Sequence, residues 1–383
     1  MNTEMRKVLL VTNIPSPYRI PLFNEMNRQL NRHDLQLFVV FGNRSYSRRK
    51  FKPVNEEEFE FEYHFLGSET MNFGNEERTY FSYKGLFKII KKVDPSCVIM
   101  NGFTIASTLL RLRAMTSSLP FIIWSGSVHK SGRNDSALRK LQRRFIISGA
   151  CSFIAYGKKS SDYLVSMGAD PKDVFIGINT VDTEFFRKNT TFNVSDGEPF
   201  NLIYVGYLSA RKNVSRLFDV IDQLNSYEKK CHLHLVGDGP EKQVLEAKAT
   251  ELAMTDQVTF YGFKQKEELP AILSGSQCFL FQTDFDIWGL VLNETMAAGI
   301  PVIASPEAGA VHDLIVNGEN GYIADFTNPS EVAEIILKLM EDPKLLKKIS
   351  ENASDTILNT ATIEISSRGF VAAVVNCLDK RSN

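Results

Sequence analysis

Short apolar runs, each closed by small or polar residues, alternate along the chain with segments whose apolar residues recur at helical spacing. The first run, KVLLVTN (Lys7 to Asn13), leads into PYRIPLFNEMNRQLNR, where Ile20, Phe23, Met26 and Leu30 share one helical face. LQLFVVFG, SCVIMNG, PFIIWSG and CSFIAYG repeat the pattern. Runs of this length read as strands buried on both faces, and their alternation with helices predicts an α/β fold with mostly parallel sheets. A second series, FNLIYVGYLS, CHLHLVGDGP, QVTFYGF, QCFLFQT and IPVIAS, each trailed by a helical segment such as VSRLFDVIDQLNSY, predicts a second doubly wound unit.

At 383 residues the chain exceeds what one hydrophobic core organises, so two Rossmann-like domains are expected. We place them at residues 1–187 and 200–363, joined by the polar, turn-rich KNTTFNVSDGEP (188–199). EISSRGFVAAVVNCLD reads as one more helix, over about residues 364–383, that packs back on the first domain. Ligands of open α/β sheets bind at the carboxyl ends of the strands, so the chemistry belongs in the loops there, lining a central cleft between facing domains.

Composition adds three constraints. A hydrophobic share of 43% with 23% charged residues and no low-complexity tract excludes a disordered chain. No apolar run approaches a bilayer span and the N-terminus lacks a signal-peptide pattern, so the expected location is cytoplasmic. The five cysteines, Cys97, Cys151, Cys231, Cys278 and Cys377, are scattered without a CxxC pair and are read as reduced packing residues. Charge is divided along the chain. Residues 1–150 hold 23 Lys and Arg against 13 Asp and Glu, and the remainder 21 against 32. A basic front half suits an anionic lipid surface, a nucleic acid or a phosphorylated substrate.

Three loops carry candidate chemistry. After LIYVG, the residues Tyr207 to Asn213 place Arg211 and Lys212 beside a helix start, an arrangement suited to phosphate. HLVGDGPEKQ resembles a dinucleotide loop through Gly237 and Gly239, but Lys242 stands where the third glycine would be, which argues against NAD. Asp284-Phe285-Asp286 can hold a divalent cation; alternatively, the amides of Gly289, Leu290 and Val291 at a helix start can neutralise a pyrophosphate without metal. The expectation is a site with no metal and no cofactor.

GYLSARKN, LVGDGPE, VTFYGF and DIWGLVLNETMAAGIPVIAS, in this order, together with PSPYRIPLFNEM and GADPKDVFIGINTVDTEFF, resemble glycosyltransferase family 4. The resemblance implies a GT-B fold and transfer of a sugar, with retention, from a nucleoside diphosphate donor, UDP-linked, to a glycan or lipid-linked acceptor in cell-envelope polysaccharide synthesis. The family's paired glutamates, with seven residues between them, correspond here to Asp286, which would contact the transferred sugar, and Glu294, which would accept hydrogen bonds from the ribose. Gly206, Gly237, Gly262, Phe263, Trp288, Gly289, Leu290 and Val291 join Glu294 as the implied donor contacts. Lys212 matches the family's phosphate lysine. The family's arginine is Tyr207 here, and Arg211 is our candidate for the missing cation.

In the first domain the family's glycine-rich loop is replaced by Asn13 to Arg19, where Tyr18 and Arg19 are candidate acceptor contacts. His129 either meets the reacting sugar or is an ordinary surface histidine. Acceptor choice is expected to depend on loops such as Phe51 to Tyr83. DSALRKLQRRFII (135–147) sets Leu138, Leu141 and Phe145 on one helical face with Arg139, Lys140, Arg143 and Arg144 elsewhere. It reads either as a core helix with a solvated face or as a basic amphipathic helix lying on a membrane, and Arg48, Arg49, Lys50 and Lys52 add to the same charge. Two other functions compete: a GT-B-like sugar-nucleotide epimerase, which needs no acceptor, and a non-catalytic membrane-binding protein. No aromatic and basic RNA signature is present.

Overall fold

The computed structural model describes residues 5–45, 52–67, 70–72, 79–129, 136–193 and 199–382. Arg48, Arg49, Lys50, Asp135 and residues 194–198 of the expected linker lie outside them. The chain forms two units, Met1–Asn179 with Ile363–Asn383, and Thr180–Thr362. The division falls at Asn179, earlier than the expected boundary at 187, because α6 (Thr183–Asn189) packs with the second unit.

The first unit begins with β1 (Arg6–Thr12), α1 (Ile20–Asn31), β2 (Leu35–Phe41) and β3 (Glu62–Phe65). A small antiparallel ladder of β4 (Thr70–Asn72) and β5 (Thr79–Phe81) follows. Then come α2 (Leu86–Val93), β6 (Cys97–Asn101), α3 (Ile105–Ala114), β7 (Phe121–Ser125), α4 (Ala137–Ile147), β8 (Ser152–Ala155), α5 (Lys158–Ser166) and β9 (Val174–Ile176). The main sheet is parallel, in the order β3-β2-β1-β6-β7-β8-β9. Val8 to Val11 of β1 are buried, as a strand covered on both faces requires. The apolar stripe of α1, Ile20, Phe23, Met26 and Leu30, covers one face, with Pro21 in its first turn, where a proline costs no hydrogen bond.

The second unit runs through β10 (Phe200–Val205), α7 (Arg216–Ser226), β11 (Cys231–Val236), α8 (Lys242–Glu251), β12 (Val258–Gly262), α9 (Leu269–Ser274) and β13 (Cys278–Phe281). It continues with α10 (Leu290–Ala297), β14 (Val302–Ala304), α11 (Val311–Leu314), β15 (Tyr322–Ile323), α12 (Pro329–Glu341) and α13 (Pro343–Thr360). Its parallel sheet has the order β12-β11-β10-β13-β14-β15, the doubly wound arrangement whose strand order reverses between β10 and β13.

The last helix, α14 (Ile363–Ser382), returns to the first unit. Phe370, Ala373 and Val374 enter the core beside Trp124, whose ring meets Phe370 edge-on at 5.0 Å. Ser366 Oγ donates to the Ile178 carbonyl and Asn376 Nδ2 to Ser152 Oγ. The same return corrects the reading of the cysteines. Cys151, just before β8, is disulfide-bonded to Cys377 of α14, while Cys97, Cys231 and Cys278 are buried thiols outside that bond. Partners 226 residues apart leave no local spacing to read. The helical stretch Pro343–Lys380 reaches the length and hydropathy of a membrane span, contrary to expectation, yet its α14 portion supplies core residues.

Candidate active site

The strand-order reversal puts two loops side by side at the carboxyl ends of β10 and β13. After β10 the chain passes through Gly206 to the 3-10 turn Ala210–Lys212, which Asn213 closes in the left-handed region at φ +43°. The loop after β11 is laid against this segment backbone to backbone. Leu208 N–H donates to the Asp238 carbonyl at 3.0 Å, Glu241 N–H to the Leu208 carbonyl at 3.1 Å, and Gly237 N–H to the Gly262 carbonyl at 2.8 Å. A Cβ on Gly237 would lie 1.8 Å from the Gly206 oxygen, and one on Gly239 2.1 Å from the Leu208 oxygen. The GxG pattern therefore serves loop packing here.

The packed turn projects Lys212 inward. It is buried, its ammonium stands 4.6 Å from the Phe281 ring centroid, and Nζ donates to Asp286 Oδ2 at 2.5 Å. The other carboxylate oxygen, Oδ1, accepts from Trp288 N–H at 3.2 Å. Asp286 is held at its backbone as well: its N–H donates to the Glu307 carbonyl and its carbonyl accepts from Gly309 N–H at 3.0 Å. Burial works to raise the Asp286 pKa, but the charge and hydrogen bond of Lys212, with Arg211 and the Trp288 amide, hold it below the ordinary carboxylate range. The carboxylate is thus an anion at neutral pH. Arg211 ties the same two loops together, donating through Nη1 to the Phe285 carbonyl and accepting Asp284 N–H at its own carbonyl.

Gly289, at φ +96°, caps the start of α10, and a Cβ there would lie 2.6 Å from the Phe281 ring. The first-turn amides of a helix have no intrahelical acceptors and carry its positive dipole end, so this start attracts anions. Glu294 lies on the same helix. Burial pushes its carboxyl up to about 7, partly offset by the Lys266 charge. Asp284, the other half of the DxD pattern, is engaged by Arg216 Nη1 at 2.9 Å and Asn213 Nδ2 at 3.2 Å. Two buried hydroxyls beside the turn, Tyr204 and Ser209, have no hydrogen-bond partner among the described residues, as at sites that take a polar ligand.

Lys212, Arg211, Asp286, Gly206, Gly237, Gly289, Leu290, Val291 and Glu294 thus fall on the neighbouring loops and α10 of the second unit. Trp288 contributes through its backbone; its ring is buried and its indole N–H donates to Asn293 Oδ1. Gly262 ends β12 and Phe263, after it, is partly exposed. In the first unit, His129 is exposed, with Nε2 2.9 Å from Ser166 Oγ on α5 and its ring against Tyr163. Arg19 is buried in an aromatic box, 4.3 Å over Trp124 and hydrogen-bonded to Tyr156 Oη, with half-buried Tyr18 beside it. Phe281, Arg216 and Lys266 escaped sequence reading because their roles depend on contacts with residues distant in sequence.

Residues 185–356 match the model of the family described as glycosyl transferases group 1. The matched stretch lies within the second unit, which is therefore similar to group 1 glycosyltransferases. Among curated relatives, the chain is 27% identical over 168 residues to alpha-D-kanosaminyltransferase of Streptomyces kanamyceticus, covering 44% of this chain and 43% of that one. It is 28% identical over 160 residues to the lipopolysaccharide core biosynthesis glycosyltransferase LpsD of Rhizobium meliloti, covering 42% and 45%. The chain spans less than half the length of these curated relatives. Among solved structures, Anabaena HepE in complex with UDP superposes with a TM-score of 0.74 at 17% identity, over 97% of this chain and all of that one; HepE is also solved with UDP-glucose. The architecture is that of GT-B glycosyltransferases.

Proposed function

We propose that the protein is a retaining glycosyltransferase that moves a sugar from a nucleoside diphosphate donor, UDP-linked, to a hydroxyl of a glycan or lipid-linked acceptor in cell-envelope polysaccharide synthesis. The observation that carries this reading is the pairing of buried Lys212 with Asp286 beside the start of α10, at the strand-order reversal where doubly wound sheets take nucleotides. Support for the donor comes from the UDP and UDP-glucose complexes of HepE, and support for the pathway class from LpsD.

In this reading the first-turn amides of α10, Lys212 and Arg211 stabilise the diphosphate as negative charge develops on it, all set in place before reaction. Asp286 orients the transferred sugar through its hydroxyls, and Glu294 accepts the ribose hydroxyls. The bond from the anomeric carbon to the diphosphate oxygen breaks. The acceptor oxygen bonds to that carbon on the same face, and its proton passes to the leaving diphosphate. No metal is assigned: Asp284 and Asp286 are each engaged by a cation of the protein, which supports charge neutralisation by side chains and amides. The proposed location is the cytoplasm, with access to the inner face of the membrane.

The test is incubation of the full chain with UDP-sugars, with and without lipid-linked acceptors, in EDTA. Acceptor-dependent release of UDP and an anomeric configuration retained in the product support the reading. A donor whose sugar changes configuration with no acceptor present would make it an epimerase instead.

A further inference from the structure

The apolar face predicted for the basic helix is not in the core. Leu138 and Leu141 of α4 are 76% and 65% exposed, and the helix is anchored instead by Ile146 and Ile147 at its end. Neighbouring α3 does the same. Ile105, Leu109 and Leu112, spaced to share one face, are exposed, Ile105 by 75%, and Met115 just beyond the helix extends the row. The two helices lie side by side, joined by Gln142 Nε2 to Thr108 Oγ1 at 2.9 Å and by Arg111, which donates to the Phe145 carbonyl. Six large apolar side chains on two adjacent helices form a patch of a kind that soluble surfaces rarely leave uncovered.

Charge identifies what covers it. Neither helix sequence, IASTLLRLRA or ALRKLQRRFII, contains an acid. Arg113, Arg139, Lys140 and Arg144 are exposed on these helices. Leucine and isoleucine projecting among arginine and lysine, with no acidic residue to pair with a basic partner, match an anionic bilayer surface: apolar tips enter the acyl boundary while cations meet the headgroups. A second copy of the chain would bring the same cations against themselves.

We propose that α3 and α4 together form a membrane-docking face that seats the first unit on anionic lipid. Resting on the function proposed above, this would hold the enzyme where lipid-linked acceptors reside. The docking face uses no donor-site residue, so its test fails or succeeds separately from UDP binding.

The test is flotation of the full chain with vesicles of phosphatidylcholine alone or mixed with phosphatidylglycerol. Wild type is expected to float with the anionic vesicles only, less at high salt. Ile105→Ser combined with Leu138→Ser, at exposed positions where folding is unaffected, is expected to weaken partitioning by about tenfold or more, and Arg139→Gln with Arg144→Gln to remove the preference for anionic lipid. Failure of wild type to float, or unchanged flotation of the Ser variant, would overturn the proposal. So would light scattering that shows a dimer dispersed by the Ser variant.

Discussion

Lys212, buried at the end of the turn after β10, and Asp286, half-buried in the loop after β13, form an ion pair of 2.5 Å that joins the two loops flanking the strand-order reversal. A largely buried pair of this kind is costly to break at one end and adds little net stability over apolar replacements, so its presence points to function.

Lys212→Ala leaves the half-buried Asp286 carboxylate without its cation. We expect a loss of about 3 kcal/mol in urea unfolding and a fall in turnover of about a hundredfold or more, the effect of removing one preorganised charge-stabilising group. Lys212→Met with Asp286→Leu should recover much of the stability and none of the turnover. Turnover within a few-fold of wild type for Lys212→Ala would remove that residue from the mechanism.

Glu294 makes the site pH-dependent. Its pKa in the folded protein, raised to about 7 from 4.5, means that stability from the protonated form is fully present below about pH 4.5 and lost as pH rises through about 7. Against wild type, Glu294→Gln should therefore flatten the dependence of unfolding free energy on pH across that window. Ribose hydroxyls donating to the carboxylate favour its ionised form, so UDP affinity should rise as pH passes through about 7, with release of a proton on binding below that. Calorimetry in buffers of different ionisation enthalpy reads the proton; uptake instead of release contradicts the assignment.

The glycines of the packed loops differ in what they tolerate. Gly237→Ala and Gly239→Ala would drive a methyl into a backbone carbonyl and should each cost more than about 2 kcal/mol or prevent folding. At Gly262, whose Cβ direction is open, only the left-handed backbone opposes alanine, at about 1 kcal/mol. Chemical denaturation of the three variants should give this order.

The Cys151–Cys377 bond ties α14 to the first unit. Cys377→Ser, or reduction of wild type, is expected to lower stability by about 2–4 kcal/mol, with more rapid hydrogen exchange in α14. Equal exchange in both redox states would show that packing of Phe370 and Val374 holds the helix unaided.

The two parallel sheets were legible because strands buried on both faces are written as unbroken apolar runs, as in KVLLVTN and QCFLF. The edge strands β9 and β15 were not, being short and half-exposed. Lys212, Asp286 and Glu294 could be picked out by their position after strands and by family resemblance. That Lys212 pairs with Asp286 could not, since the pairing depends on β10 and β13 being neighbours although the two residues lie 74 positions apart in sequence. The amphipathic pattern of residues 135–147 was visible but mute about direction; only packing against α3 decides that Leu138 and Leu141 face out.

The most direct test of the central claim is calorimetric titration of UDP into the full chain in EDTA, for wild type, Lys212→Ala and Glu294→Ala. The account predicts saturable binding to wild type, weakened by both substitutions, and unchanged on adding magnesium. Absence of UDP binding, or binding that requires magnesium and ignores both residues, would contradict it.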